Sequence, residues 1–200
     1  LIKSTYLTNN DKNVYYKLEN TQEVRAFKSR GALNKMLSLS PSEKEIGVAT
    51  ISSGNHGISV ALGAQLLGIK NALIIVPKNT SKAKLNKIKY FGGSIVLLGN
   101  NYDEAHLLGM EYIKDKKLTF IDSYFDDEIV YAGQGTIALE ILEKNKNIDT
   151  ILAPIGGGGL ISGIAIAAKS LNKNLTIYGV HTEACPAMKA SLDDTICYEK

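Results

Sequence analysis

Short aliphatic and β-branched runs alternate along the chain with stretches whose apolar positions recur every three or four residues. The runs Val14–Leu18, Ile46–Thr50, Ala72–Val76, Ser94–Leu98, Leu118–Ile121, Thr150–Ala153 and Thr176–Val180 predict strands. The stretches Arg30–Leu39, Gly57–Leu67, Ser81–Tyr90, Tyr102–Lys114, Ile129–Lys144 and Leu160–Ser170 predict helices. Strand and helix patterns in this succession read as βα units on a mostly parallel sheet. The strands are apolar nearly throughout, as expected when helices cover both faces. Gly68 and the Gly92–Gly93 pair follow helices where a left-handed cap is favoured, and Asn79–Ser81 offers an N-cap. The units from 46 to 126 predict one small lobe; 1–45 and 127–200 then pair into a second, larger one. No repeat or low-complexity segment interrupts this order.

Composition narrows the partners rather than the fold. The chain has 200 residues, 44% hydrophobic and 22% charged, with a net charge of +3. That charge is too small to argue for nucleic acid or an anionic membrane surface. No apolar run reaches the ~18 residues of a membrane span. Cys185 and Cys197 form no CxxC pair or Cys/His cluster, so neither a zinc site nor a disulfide framework is expected, and a reducing compartment fits best. The chain opens on Leu1 and ends in the charged stretch Asp193 to Lys200, which reads as a segment of a longer protein.

Three segments carry chemistry. In the first, the strand at Thr150 runs into Gly156, Gly157, Gly158 and Gly159, and a helix opens at Leu160. Consecutive glycines let the backbone turn its N–H groups toward one point, and the helix N-terminus adds its positive end. The spacing is neither the dinucleotide fingerprint nor a Walker loop, so a phosphate cradle is expected, with a plain tight turn as the alternative. In the second, Ser52-Ser53-Gly54-Asn55-His56-Gly57 joins a strand to a helix. Hydroxyls, an amide and exposed N–H groups at a helix start suit a carboxylate or phenolate oxygen; a plain capped loop is the alternative. The third is Phe27-Lys28-Ser29-Arg30-Gly31-Ala32. A lysine becomes a carbonyl-binding nucleophile when burial or neighbouring cations lower its pKa, and the only two arginines, Arg25 and Arg30, flank Lys28. Taken alone, Lys28 reads far more readily as a solvated surface lysine, and its context has to carry the chemical reading.

These three segments, with Tyr16-Lys-Leu-Glu-Asn20 and Gly133-Gln-Gly-Thr-Ile-Ala-Leu-Glu140, resemble the fold-type-II pyridoxal-phosphate family, in its serine/threonine dehydratase (threonine ammonia-lyase) and serine racemase branch. The resemblance spans essentially the whole chain. It implies an α/β fold of two open, mostly parallel sheets covered by helices, similar to tryptophan synthase β, with the second lobe incomplete here. It implies pyridoxal 5'-phosphate as cofactor, with Lys28 on its aldehyde, Phe27 against the ring and Asn55 on the ring 3-oxygen. Gly156, Gly157, Gly158, Gly159 and Leu160 would bind the phosphate. Ser52, Ser53, Gly54, Asn55 and His56 would receive the substrate carboxylate. The implied reaction is dehydration of L-threonine or L-serine to a 2-oxo acid and ammonia, in a cytoplasmic enzyme that is a homo-oligomer at full length, with no nucleic-acid or membrane partner.

Ser53 keeps a second reaction open, because racemases of this family carry a serine there that protonates Cα from the face opposite the lysine. A β-replacement enzyme such as a sulfhydrylase and a non-catalytic, decayed relative are further alternatives. Retention of Lys28, Asn55 and all four glycines argues against the decayed relative, and the Lys28 segment looks closer to the dehydratase branch. Three departures from the family pattern stand out. Ala26 replaces a usual serine. His181, followed by Thr182, stands where racemase-type members have a cation-binding Glu, with Pro186 and Ala187 at the further ligand places, so no hard-cation site is expected. Finally, the family's catalytic domain continues for roughly another hundred residues, within the usual domain size, and that part supplies the group facing the pyridine nitrogen.

Overall fold

The computed structural model describes residues 1–123, 128–184 and 187–192. Along the chain run β1 (Ile2–Lys3), β2 (Tyr15–Tyr16), a 3-10 turn (Glu19–Thr21), α1 (Lys28–Ser38), α2 (Pro41–Ile46), β3 (Val48–Ile51), α3 (Asn55–Leu67), β4 (Ala72–Val76) and α4 (Lys82–Tyr90). There follow β5 (Ser94–Leu97), α5 (Tyr102–Lys116), β6 (Thr119–Phe120), α6 (Glu128–Lys144), β7 (Thr150–Pro154), α7 (Gly159–Leu171), β8 (Thr176–Val180) and α8 (Ala187–Leu192). Cys185, Pro186, Cys197 and the expected lobe boundary at 126 lie outside the described residues.

The chain forms two compact units, Glu19–Gly133 and Leu1–Leu18 with Gln134–Lys200. The first contains the 46–126 segment and adds the 3-10 turn, α1, α2 and the start of α6 to it. Its four-stranded sheet has the order β5-β4-β3-β6, all parallel, with Val48 opposite both Ala72 and Thr119. Side chains alternate across such a sheet, so each face builds its own core. Val48, Ile74 and Val76 point into a cluster with Ala32, Met36, Val60, Ile88 and Phe91, contributed by α1, α3, α4 and the residue after α4. Ala49, Ile51 and Ile75 face the other way, against Ala105 and Ile113 of α5. All four residues of β3 are buried, which explains why this strand reads as continuously apolar.

The second unit pairs β1 with β2 antiparallel and β7 with β8 in parallel, Thr150 opposite Thr176. Lys17 Nζ lies 2.7 Å from Glu140 Oε2 on α6. Leu152 and Tyr178, one on each strand of the β7–β8 pair, are exposed.

Most expected elements appear near their expected bounds, and Gly68 closes α3 in the left-handed conformation at φ 67°. One boundary differs in kind. Ile46 was expected to open a strand, but it ends α2, and β3 begins at Val48. The cause is a capping box: Ser40 Oγ accepts from the Glu43 N–H while the Glu43 carboxylate accepts from the Ser40 N–H, with Pro41 at the first helical position. The short elements β1 and α8 and the 3-10 turn also escape the periodicity reading, being too brief to show a period.

Candidate active site

Lys28 is the first residue of α1. The turn before it is built locally: Gln22 N–H bonds the Glu19 carbonyl, Arg25 N–H bonds the Gln22 carbonyl at 2.8 Å, and Arg25 takes φ 63°. A positive φ at a non-glycine residue is uncommon and marks a tightly reversed chain. Just inside the helix, Arg30 donates from Nε to Glu19 Oε2 at 2.7 Å and from Nη2 to Glu19 Oε1 at 2.9 Å. Glu19 therefore compensates the Arg30 charge at close range.

The Lys28 side chain is half-buried. Its Nζ donates to the carbonyl of Ser123 at 3.1 Å and lies 5.4 Å from the centre of the Phe27 ring. Ser123 lies just beyond β6, whose last ladder bond is continued by Ile121 N–H to the Ala49 carbonyl at 2.8 Å.

The loop 52–54 joins β3 to α3. Ser52 N–H bonds the Ile75 carbonyl, and Gly54 N–H bonds Ser52 Oγ at 3.2 Å. The cap of α3 is Gly54, with no side-chain cap bond, so neither serine serves as the helix cap that the alternative reading expected. Ser52, Ser53 and Gly54 are half-buried and Asn55 is exposed. Gly57 is required by close approach: a Cβ there would sit 2.1 Å from the Ser52 carbonyl oxygen. His56 differs from its neighbours. It is only 4% exposed, and its Nε2 lies 2.9 Å from the Ile121 carbonyl. Burial pushes the imidazole pKa down to about 4, against the Ile121 hydrogen bond; the Lys28 charge adds to the fall and Asp122 opposes it. Thus Lys28 and His56, from the starts of two helices, reach the same 121–123 segment.

In the other unit, β7 passes through Ile155 into the glycine run, and Gly158 caps α7 with φ 86° and no side-chain cap bond. A side chain at Gly156 would meet nothing within 4 Å, so the space over the first glycine is open. The Ser162 N–H is the first of α7 to find an in-helix acceptor, the Gly158 carbonyl. First-turn N–H groups of a helix lack such acceptors, and a glycine cap leaves those of Gly159, Leu160 and Ile161 for an anion. His181 Nδ1 lies 3.0 Å from the Thr182 carbonyl.

The carbonyl partners Ile121 and Ser123 were not singled out in the sequence. Nothing local marks them, since they lie 65 and 95 residues from the groups they bind. The Glu19–Arg30 pair was equally unread, although both residues fall in the motifs quoted above.

The chain is 47% identical over 193 residues to the catabolic L-threonine dehydratase of Staphylococcus aureus strain N315, covering 96% of this chain and 55% of the relative. Among solved structures, the processed form of threonine deaminase isoform 2 from Solanum lycopersicum matches with TM-score 0.85 and 40% identity, over 89% of this chain and 48% of that one. Maize serine racemase matches with TM-score 0.87 and 35% identity, over 93% and 56%. The chain thus spans about half the length of these relatives. The family described as pyridoxal-phosphate dependent enzyme matches residues 1–198, and the chain belongs to that family.

Proposed function

We propose that this chain carries the cofactor lysine of an ammonia-lyase that converts L-threonine or L-serine to a 2-oxo acid and ammonia. The observation that carries this reading is the Lys28 amine, half-buried at the head of α1, bonded to the Ser123 carbonyl and beside the Phe27 ring. The likeness to a catabolic L-threonine dehydratase supports the substrate class.

The residues present suit pyridoxal phosphate. An amine beside an aromatic ring suits an aldehyde on a planar heterocycle, and the open space over Gly156 with the glycine-capped start of α7 suits a phosphate. When bound, the cofactor supplies a conjugated ring that accepts negative charge from the substrate Cα.

Lys28 would hold the cofactor at its aldehyde, and its Nζ, when not so engaged, would take the Cα proton as general base. Phe27 would lie against the ring and Asn55 would donate to its 3-oxygen. The backbone N–H groups of Gly156, Gly157, Gly158, Gly159 and Leu160 would hold the phosphate. The loop Ser52, Ser53, Gly54, Asn55 and His56 receives the substrate carboxylate, with the glycine cap of α3 leaving first-turn N–H groups for it. In the net reaction, the Cα proton and the β-hydroxyl would leave together as one water, and a second water would replace the nitrogen, giving ammonia and the 2-oxo acid. A cytoplasmic homo-oligomer is part of the same reading and rests on the family resemblance.

A second reading, racemisation, is favoured by Ser53, a half-buried hydroxyl in the loop that leads into α3. Product analysis separates the two. L-threonine or L-serine incubated with the cofactor-loaded protein should give 2-oxo acid and ammonia in equal amounts. D-isomer formed without 2-oxo acid would replace dehydration with racemisation, and no turnover by loaded protein would remove the catalytic reading.

A further inference from the structure

Two side chains from different helices fix one short stretch of backbone. His56 Nε2 lies 2.9 Å from the Ile121 carbonyl, and Lys28 Nζ lies 3.1 Å from the carbonyl of Ser123. A carbonyl oxygen only accepts, so Nε2 bears the hydrogen and the ring is held as the Nε2–H tautomer. Ile121 is fully buried, and its N–H is already committed to the Ala49 carbonyl. Removing the imidazole would leave a buried carbonyl without its donor, which the backbone can repair only by shifting. Ser123, two residues on, would shift with it, and the Lys28 amine would lose the Ser123 carbonyl as an acceptor.

We propose that the His56 ring is a positioning group for Lys28 rather than a contact for substrate, whose carboxylate the loop meets through its hydroxyls and backbone N–H groups. A neutral, enclosed imidazole pins the Ile121 carbonyl, and through the 121–123 backbone it sets where the Ser123 carbonyl parks the Lys28 amine. Its enclosure argues the same way, since at 4% exposure the ring presents almost no surface to a ligand. Its functional meaning rests on the reading of Lys28 as the cofactor lysine, but the link between the two side chains does not.

The test is competitive acetylation of cofactor-free protein at pH 8, read by peptide mass as the labelling of Lys28 relative to exposed Lys78. His56→Leu should raise that ratio about tenfold, the scale of one lost buried hydrogen bond. His56→Gln, which restores an N–H donor at similar reach, should return it to within about threefold of wild type. Equal ratios in wild type and a folded His56→Leu, or equal losses in both variants, would overturn the proposal. Should the leucine variant not fold, ring-nitrogen NMR of the wild type decides. A neutral Nε2–H imidazole at pH 7 with a coupling across the bond to the Ile121 carbonyl supports the proposal, and an Nδ1–H or charged ring contradicts it. Failure of the wild type to take up pyridoxal phosphate would count against the cofactor reading alone, because labelling is read without cofactor.

Discussion

Glu19 and Arg30 form a two-point pair, Oε2 with Nε at 2.7 Å and Oε1 with Nη2 at 2.9 Å, and both side chains are mostly buried, at 15% and 12% exposure. Gln22 Nε2 adds a third contact on Glu19 Oε2 at 3.2 Å. The pair ties the 3-10 turn to the first turn of α1, two residues beyond Lys28. Planar guanidinium matches carboxylate in a way an ammonium cannot.

Arg30→Ala should therefore cost about 3 kcal/mol of unfolding free energy, because it takes the two-point guanidinium contact from a mostly buried carboxylate. Arg30→Lys should recover only part of that, having lost the fork. Urea unfolding of both variants checks this; an alanine variant within about 0.5 kcal/mol of wild type, the range of inert surface changes, would show that the pair contributes nothing.

How far the sequence disclosed this arrangement depends on distance along the chain. β4 and β8 were read to their observed ends, because five residues rich in β-branched or aromatic side chains and bounded by turn residues are long enough for a strand and too short for a helix. α2 was missed although Ser40-Pro41-Ser42-Glu43 spells out a capping box, because six residues show no period. Lys28 stood out through its motif and its resemblance, but its resting partner Ser123 could not, being a backbone carbonyl from a distant strand end. The burial of the His56 ring against the Ile121 carbonyl was not legible either, since a sequence does not say which loop side chains turn inward.

Acid should weaken the unit that holds Lys28. Burial pushes the folded-state pKa of His56 down to about 4, from the ordinary imidazole value of 6.5. A neutral imidazole is thus favoured by folding, and the stability it contributes is complete above pH 6.5 and is lost as pH falls toward 4. The loss amounts to about 3 kcal/mol, from the gap between the two values. His56→Gln should flatten the unfolding free energy between pH 6.5 and 4.5 relative to wild type, and identical slopes would contradict the shift.

Two glycines of one loop should respond in opposite ways. Gly57→Ala places a methyl 2.1 Å from the Ser52 carbonyl oxygen, a backbone atom that cannot swing aside, and should destabilise by about 3 kcal/mol or more. Gly54→Ala meets only Ser52 Oγ, at 3.8 Å, and should stay within about 1 kcal/mol of wild type. Thermal unfolding of the two variants side by side reads the contrast, which equal melting points would refute.

Ser53→Ala separates the two reactions considered for this scaffold. If dehydration uses only the lysine as base, the variant keeps 2-oxo acid formation within about tenfold of wild type. Any D-isomer formed by wild type should fall by at least about a hundredfold, since its proton donor is gone. Loss of both products together would place Ser53 in a shared step.

The role of Lys28 is most directly read from the absorbance spectrum of the protein with pyridoxal phosphate, before and after borohydride, for wild type and Lys28→Ala. Wild type should show a protein-bound cofactor band that borohydride fixes covalently to the peptide containing Lys28, and the variant should show neither band nor fixation. A folded wild-type protein whose cofactor is fixed on another lysine, or a Lys28→Ala variant with the band undiminished, would contradict the assignment.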